Sequence, residues 1–176
     1  MNVPSVRTRR LDLVSMSPGF IEALLAGRRA EAEASGGFPL PPDWPDAADE
    51  RRLRLRLDQM REEPSTQPWL LRAMVRRRPR RQMVGFINFH GPPRDSFAEL
   101  GYTVLPNFRR RGYASEAIQG LMDWAVREHG VPRFRVSISP SNVPSLALAA
   151  KLGFRQTGSQ IDEEDGLELV LELVRE

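Results

Sequence analysis

FAELGYTVLPNFRRRGYASEAI, Phe97 to Ile118, is the stretch from which the rest of the chain can be read. Its first half sets Phe97, Leu100, Tyr102 and Val104 among small or polar neighbours such as Glu99 and is rich in β-branched and aromatic types, which predicts a strand. Pro106 ends that strand, because proline cannot donate to a ladder, and Asn107 and Gly112 are turn residues. Apolar positions Ala114, Ile118, Leu121, Met122 and Ala125 then recur at helical spacing. The product is strand, basic glycine-containing loop, helix. The first N–H groups of such a helix lack internal partners and carry partial positive charge, Gly112 permits close approach, and Arg109, Arg110 and Arg111 add full charges. That combination suits an anion with several oxygens, most simply a pyrophosphate.

Arg109-x-x-Gly112-x-Ala114, following Val104-Leu105-Pro106, resembles the acyl-CoA pyrophosphate loop of the GNAT superfamily of N-acyltransferases. Downstream, Asn142-Val-Pro-Ser145 and Lys151-Leu-Gly-Phe154 resemble the next block of that superfamily, and within it the branch that acetylates the N-termini of ribosomal proteins. The resemblance extends loosely over nearly the whole chain. It implies an α/β fold in which a mixed, mostly antiparallel sheet with a splayed central strand pair is flanked by helices on both faces.

At 176 residues the chain is expected to form one domain, 1–176, with one substantial core. The N-terminus carries charges without a secretory apolar core, and no uninterrupted apolar run approaches ~18 residues, so a cytoplasmic protein without a membrane segment is expected. Cysteine is absent, which excludes disulfides, thiolate metal sites and cysteine nucleophiles. The 26 basic residues against 23 acidic ones give +3, and Lys151 is the only lysine, so arginine clusters carry less information here than elsewhere. Arg76-Arg-Arg-Pro-Arg-Arg81 can be read as a nucleic-acid patch or as a solvated hairpin tip between Trp69–Val75 and Met83–Phe89. No aromatic interleaves the arginines, which favours the hairpin tip over a nucleic-acid partner.

In chain order, Arg9 to Met16 alternates as a first strand, and Ser17-Pro18 starts a helix running toward Ala34, stopped by Gly36-Gly37. The proline-broken loop from Phe38 to Pro45 carries Phe38, Leu40 and Trp44, either as a core cap or as one wall of a substrate cleft. A helix from Asp46 to Pro64 follows, then two strands about the arginine turn, the central strand and the long helix. Phe134 to Ile138 forms a strand, Ser145 to Leu152 a short helix, and Arg155–Ile161 with Leu167–Val174 a closing hairpin. A dinucleotide fold is excluded, since the loop lacks Gly-x-Gly spacing.

The resemblance implies acetyl-CoA as co-substrate and transfer of its acetyl group to a primary amine by direct attack in a ternary complex. It places Thr103, Val104 and Leu105 along the pantetheine, and Arg109, Arg110, Arg111, Gly112, Tyr113 and Ala114 about the pyrophosphate. It further implies that Glu99 takes the proton of the incoming ammonium, that Asn142 binds CoA, and that Ser145 steadies or protonates the leaving thiolate. Glu99 as a plain strand residue, and Asn142 and Ser145 as helix caps, are the readings that need no ligand. Many members place a tyrosine acid where Ala149 stands and some a glutamate where Ser137 stands; this chain has neither. His90, at a strand end near the expected cleft, is a rival base. No metal is expected, because no histidine pair or acidic cluster has ligand spacing, and Asp162 to Asp165 does not match a calcium loop. A peptide N-terminus and a small-molecule amine both remain open as acceptor. So does a non-catalytic acyl-CoA-binding module, and a homodimer is compatible with the sequence.

Overall fold

A computed structural model describes residues 2–175 of the chain. Eight strands form one sheet in the order β1-β2-β3-β4-β5-β6-β8-β7, namely β1 (Val6–Arg7), β2 (Leu11–Ser15), β3 (Arg72–Arg76), β4 (Gln82–Phe89), β5 (Phe97–Val104), β6 (Arg133–Ile138), β7 (Arg155–Asp162) and β8 (Gly166–Val174). Every neighbouring pair is antiparallel except β5 and β6. The helices are α1 (Pro18–Leu25), α2 (Arg29–Gly36), α3 (Ala47–Glu62), α4 (Tyr113–His129) and α5 (Val143–Lys151).

Local chemistry accounts for the helix ends. Ser17 caps α1 by accepting from the Phe20 N–H at 3.2 Å, with Pro18 in the first turn. The helix expected to reach Ala34 is instead two helices, because Gly27 adopts φ +74 and turns the chain between them. Asp46 and Asp49 form a capping box at the start of α3. Trp69, expected at a strand start, closes the 3₁₀ segment Pro64–Trp69, so β3 begins only at Arg72. Phe38, Leu40 and Trp44 are buried, and Trp44 packs on Phe86 with ring centroids 6.3 Å apart; the loop caps the core.

Alternation along the strands divides the apolar residues between the two faces of the sheet. Met16, Ala73, Val75, Met83 and Phe86 pack with α1, α2 and α3, while Leu13, Val84, Ile87, Leu100 and Phe134 pack with α4 and α5. Covered on both faces, β4 is buried from Met83 to Phe89. The arginine turn is tied down within the chain: Arg77 and Arg81 both donate to Asp12, at 2.8 and 2.6 Å, and Arg76 lies over Phe108.

The sheet is uneven at its centre. β4 and β5 pair from Gly85↔Val104 to Phe89↔Leu100, but β5 and β6 pair only at Phe97↔Arg133, Ala98↔Phe134 and Glu99↔Arg135. Beyond Glu99, β5 keeps β4 as its neighbour while the rest of β6 pairs with β8, so the two strands part. The join is held by Phe97, which lies under the guanidiniums of Arg133 and Arg135 at 4.0 and 4.8 Å.

Candidate active site

The parting of β5 and β6 opens on a cavity of about 770 Å³, lined by β5, the loop before α4, the first turn of α4 and one side of α5 from Pro144 to Lys151. Thr103, Val104, Arg109, Arg110, Gly112, Tyr113, Ala114, Asn142 and Ser145 all line it. Tyr102, Phe108, Leu148 and Lys151 join them without having been singled out as site residues. Three expected residues stand outside it, Glu99, Leu105 and Arg111. Leu105 gives its N–H to the Val84 carbonyl at 2.9 Å and packs with the α1–α3 core, while Arg111 lines a separate cleft of about 610 Å³ beside Arg10 and Arg127.

The loop is built to present donors. Arg110 at φ +60 and Gly112 at φ +77 bend the chain into the start of α4, where Gly112 is the cap and no side chain takes the first N–H groups. A Cβ at Gly112 would stand 3.3 Å from Arg10 Nη2, so glycine serves here through both conformation and space. The loop is braced from behind. Glu116, in the first turn of α4, accepts from Thr8 Oγ1 at 2.6 Å and Arg10 Nε at 2.6 Å, and Arg10 Nη1 donates to the Arg111 carbonyl at 2.9 Å. Burial works to raise the Glu116 pKa, but these bonds from Thr8 and Arg10 outweigh it and hold the carboxylate below its ordinary value. Arg109 Nε donates to the Val104 carbonyl at 3.0 Å and fastens the loop to the end of β5.

Asn142 Oδ1 accepts from the Ser145 N–H at 3.3 Å and so caps α5, as its residue type predicts. Ser145 and Ala149 share a face of α5 at helical spacing, and Ala149 is buried in the core. Two phenols line the cavity, Tyr102 from β5 and Tyr113 from the start of α4, and neither stands on α5.

Glu99 sits at the root of the parting, outside the cavity lining, where the last β5–β6 pair forms. Its carboxylate accepts from Ser137 Oγ at 2.7 Å and lies 3.7 Å from His90 Nδ1. Ser137, which stands where some members of the superfamily carry a glutamate, is thus the hydrogen-bond partner of Glu99. Partial burial lowers the pKa of His90; Arg56 and Arg52 push the same way, while Glu99 and Asp162 oppose them. Among the described residues no group of three or more His, Asp or Glu is placed to hold a metal ion, and no helix is long and apolar enough to cross a membrane.

The family model for the acetyltransferase (GNAT) domain matches residues 10–155. The chain belongs to the GNAT acetyltransferase family. Among curated relatives, the uncharacterized N-acetyltransferase YnaD of Bacillus subtilis is 32% identical over 76 residues, 43% of this chain and 45% of that protein. The chain thus spans about half the length of these curated relatives. Solved structures align end to end. A GNAT-family acetyltransferase of Bordetella pertussis superposes with TM-score 0.64 at 27% identity, covering 98% of this chain and 99% of that one. RimL, the ribosomal L7/L12 α-N-protein acetyltransferase in complex with CoA, does so with TM-score 0.66 at 18% identity, covering 97% and 98%. GNAT membership agrees with the splayed sheet and with the loop at Gly112.

Proposed function

We propose that the protein transfers the acetyl group of acetyl-CoA to a primary amine by direct attack in a ternary complex. The observation that carries this reading is the unpartnered edge of β5 beyond Glu99, which leads from the donor-rich loop at Gly112 to a carboxylate at its root. The pyrophosphate takes the free N–H groups of α4 with Arg109 and Arg110; Thr103 and Val104 flank the pantetheine; Asn142 and Ser145 close the opposite side. The acceptor nitrogen attacks the thioester carbon, its proton leaves by way of Glu99, and the C–S bond breaks with its electron pair on sulfur.

The acceptor that fits best is an α-amine at a peptide N-terminus. Glu99 already accepts a bond from Ser137 Oγ, with the His90 edge near the same oxygen, so that oxygen is engaged before an acceptor arrives. An α-amine with pKa ~7.7–8.0 is partly neutral at pH 7, whereas a lysine side chain at ~10.4 is not. The structural likeness to RimL, whose name gives an α-N-protein substrate, accords with this choice.

Thiol release from acetyl-CoA tests both levels. Seryl and alanyl peptides should outpace the same peptides with acetylated N-termini and an internal lysine, as well as polyamines and aminoglycosides. Turnover with polyamines or aminoglycosides alone would make the protein a small-molecule acetyltransferase. Tight acetyl-CoA binding without thiol release to any amine would make it an acyl-CoA-binding module.

A further inference from the structure

One polar group in the cavity has no structural employment. Tyr102 follows Ala98 and Leu100 on the α4 face of β5 and lines the cavity together with Ser145. Its hydroxyl is shielded from solvent and has no partner in hydrogen-bond geometry among the described residues. A buried hydroxyl left unbonded costs ~1–3 kcal/mol, so one facing a ligand cavity calls for a purpose. Ser145 is the hydroxyl beside it, near enough to act on its titration though not in a formed bond.

We propose that Tyr102 is a positioning residue, which on CoA binding donates its hydrogen bond to Ser145 Oγ and so commits the Ser145 hydrogen to the departing sulfur. This rests on the acetyl-transfer reading. Burial raises the phenol above its ordinary pKa, with Ser145 opposing, so Tyr102 keeps its proton throughout. A phenol above ~10 does not surrender a proton to the conjugate base of a thiol near ~8.5; it is a donor of hydrogen bonds and not the acid. In the step itself the C–S bond breaks, sulfur keeps the electron pair, and the Ser145 O–H, oriented by Tyr102, donates to the developing thiolate. The thiolate takes its proton from solvent as CoA leaves, matching the one the acceptor nitrogen gave up.

The test needs no acceptor. CoA itself is bound to the wild-type protein, and its thiol is titrated by the ultraviolet absorbance of the thiolate. The bound thiol should be more acidic than free CoA. Tyr102→Phe, which deletes one oxygen, should bring the acidity constant back toward that of free CoA by roughly tenfold, with CoA affinity by calorimetry nearly unchanged. Ser145→Ala should do at least as much, and the double variant no more than Ser145→Ala alone. A bound thiol indifferent to Tyr102→Phe overturns the inference and leaves acetyl transfer standing. Effects of the two substitutions that add independently overturn the route through Ser145. Failure of the wild type to bind CoA overturns the acetyl-transfer reading and this inference with it.

Discussion

Glu99 draws its chemistry from where it sits. One pair further along β5 the strands have parted, so the carboxylate stands where sheet gives way to cleft, with Ser137 Oγ 2.7 Å away to orient it. If it carries the acceptor's proton, Glu99→Gln lowers kcat/KM for a seryl peptide by ~10²–10⁴-fold at pH 7 and leaves acetyl-CoA affinity nearly unchanged. The deficit should shrink as pH rises and close near the acceptor's own pKa, ~7.7–8.0 for an α-amine against ~10.4 for a lysine. A pH–rate profile of variant and wild type reads this directly, and coincidence at every pH would move the role to His90 or solvent. The turn at Gly112 and the cap at Asn142 were legible in the sequence because each type has a narrow physical use at its place, whereas a glutamate in a strand has none and Glu99 was singled out by resemblance alone. Nor was Arg111 legible. Three consecutive arginines look alike in sequence, and only the φ +60 at Arg110 turns the third toward another cleft. Tyr102 escaped for a related reason, since a tyrosine in a strand signals packing and its lost hydroxyl partner is visible only in three dimensions.

Among the elements, β4 and β5 approach each other more closely than strands with side chains permit. A Cβ on Gly85 would lie 2.2 Å from the Thr103 carbonyl oxygen, a backbone atom with no freedom to yield. Gly85→Ala should therefore push β5 away from β4, costing ~1–3 kcal/mol in denaturant unfolding. The same shift should weaken acetyl-CoA binding, because Thr103 and Val104 line the cavity. Gly19→Ala is the contrast: with nothing within 4 Å in α1, it should be neutral or stabilising by up to ~1 kcal/mol and leave binding alone. Equal stability and affinity in Gly85→Ala and wild type would show that the close approach is without consequence. Gly85 gave no signal of its own, since an isolated glycine in an apolar run reads only as a weak spot in a strand. Gly27 misled in the opposite sense. The alanine-rich pattern on either side of it continues at helical spacing, so one helix was expected where a left-handed turn makes two.

The whole molecule is a sheet in two parts joined by a short parallel seam. β1 to β5 carry the Gly112 loop at their end, β6 to β8 lie next to α5, and between the two parts β5 and β6 share only the three residue pairs from Phe97 to Glu99. The alternation of strand and helix made this order of elements readable, but no local pattern states where two strands stop pairing. A ligand in the cavity touches both sides at once, Thr103 and Gly112 on one and Asn142 and Ser145 on the other, and so replaces the missing strand contacts. Because it binds the folded chain alone, acetyl-CoA at about a hundred times its Kd should add ~2.7 kcal/mol to stability. For a chain of this size that raises Tm by roughly 5–10 °C in a thermal melt. Amide exchange should slow at residues 101–104 and at the start of α5, on both sides of the parting, while the already paired residues of β2 and β3 change little. A comparable rise in Tm with protection confined to the cleft about Arg7, Arg10 and Arg127 would put the ligand on the far side of the loop. The unpaired edge of β5 would then have to be explained by some other partner.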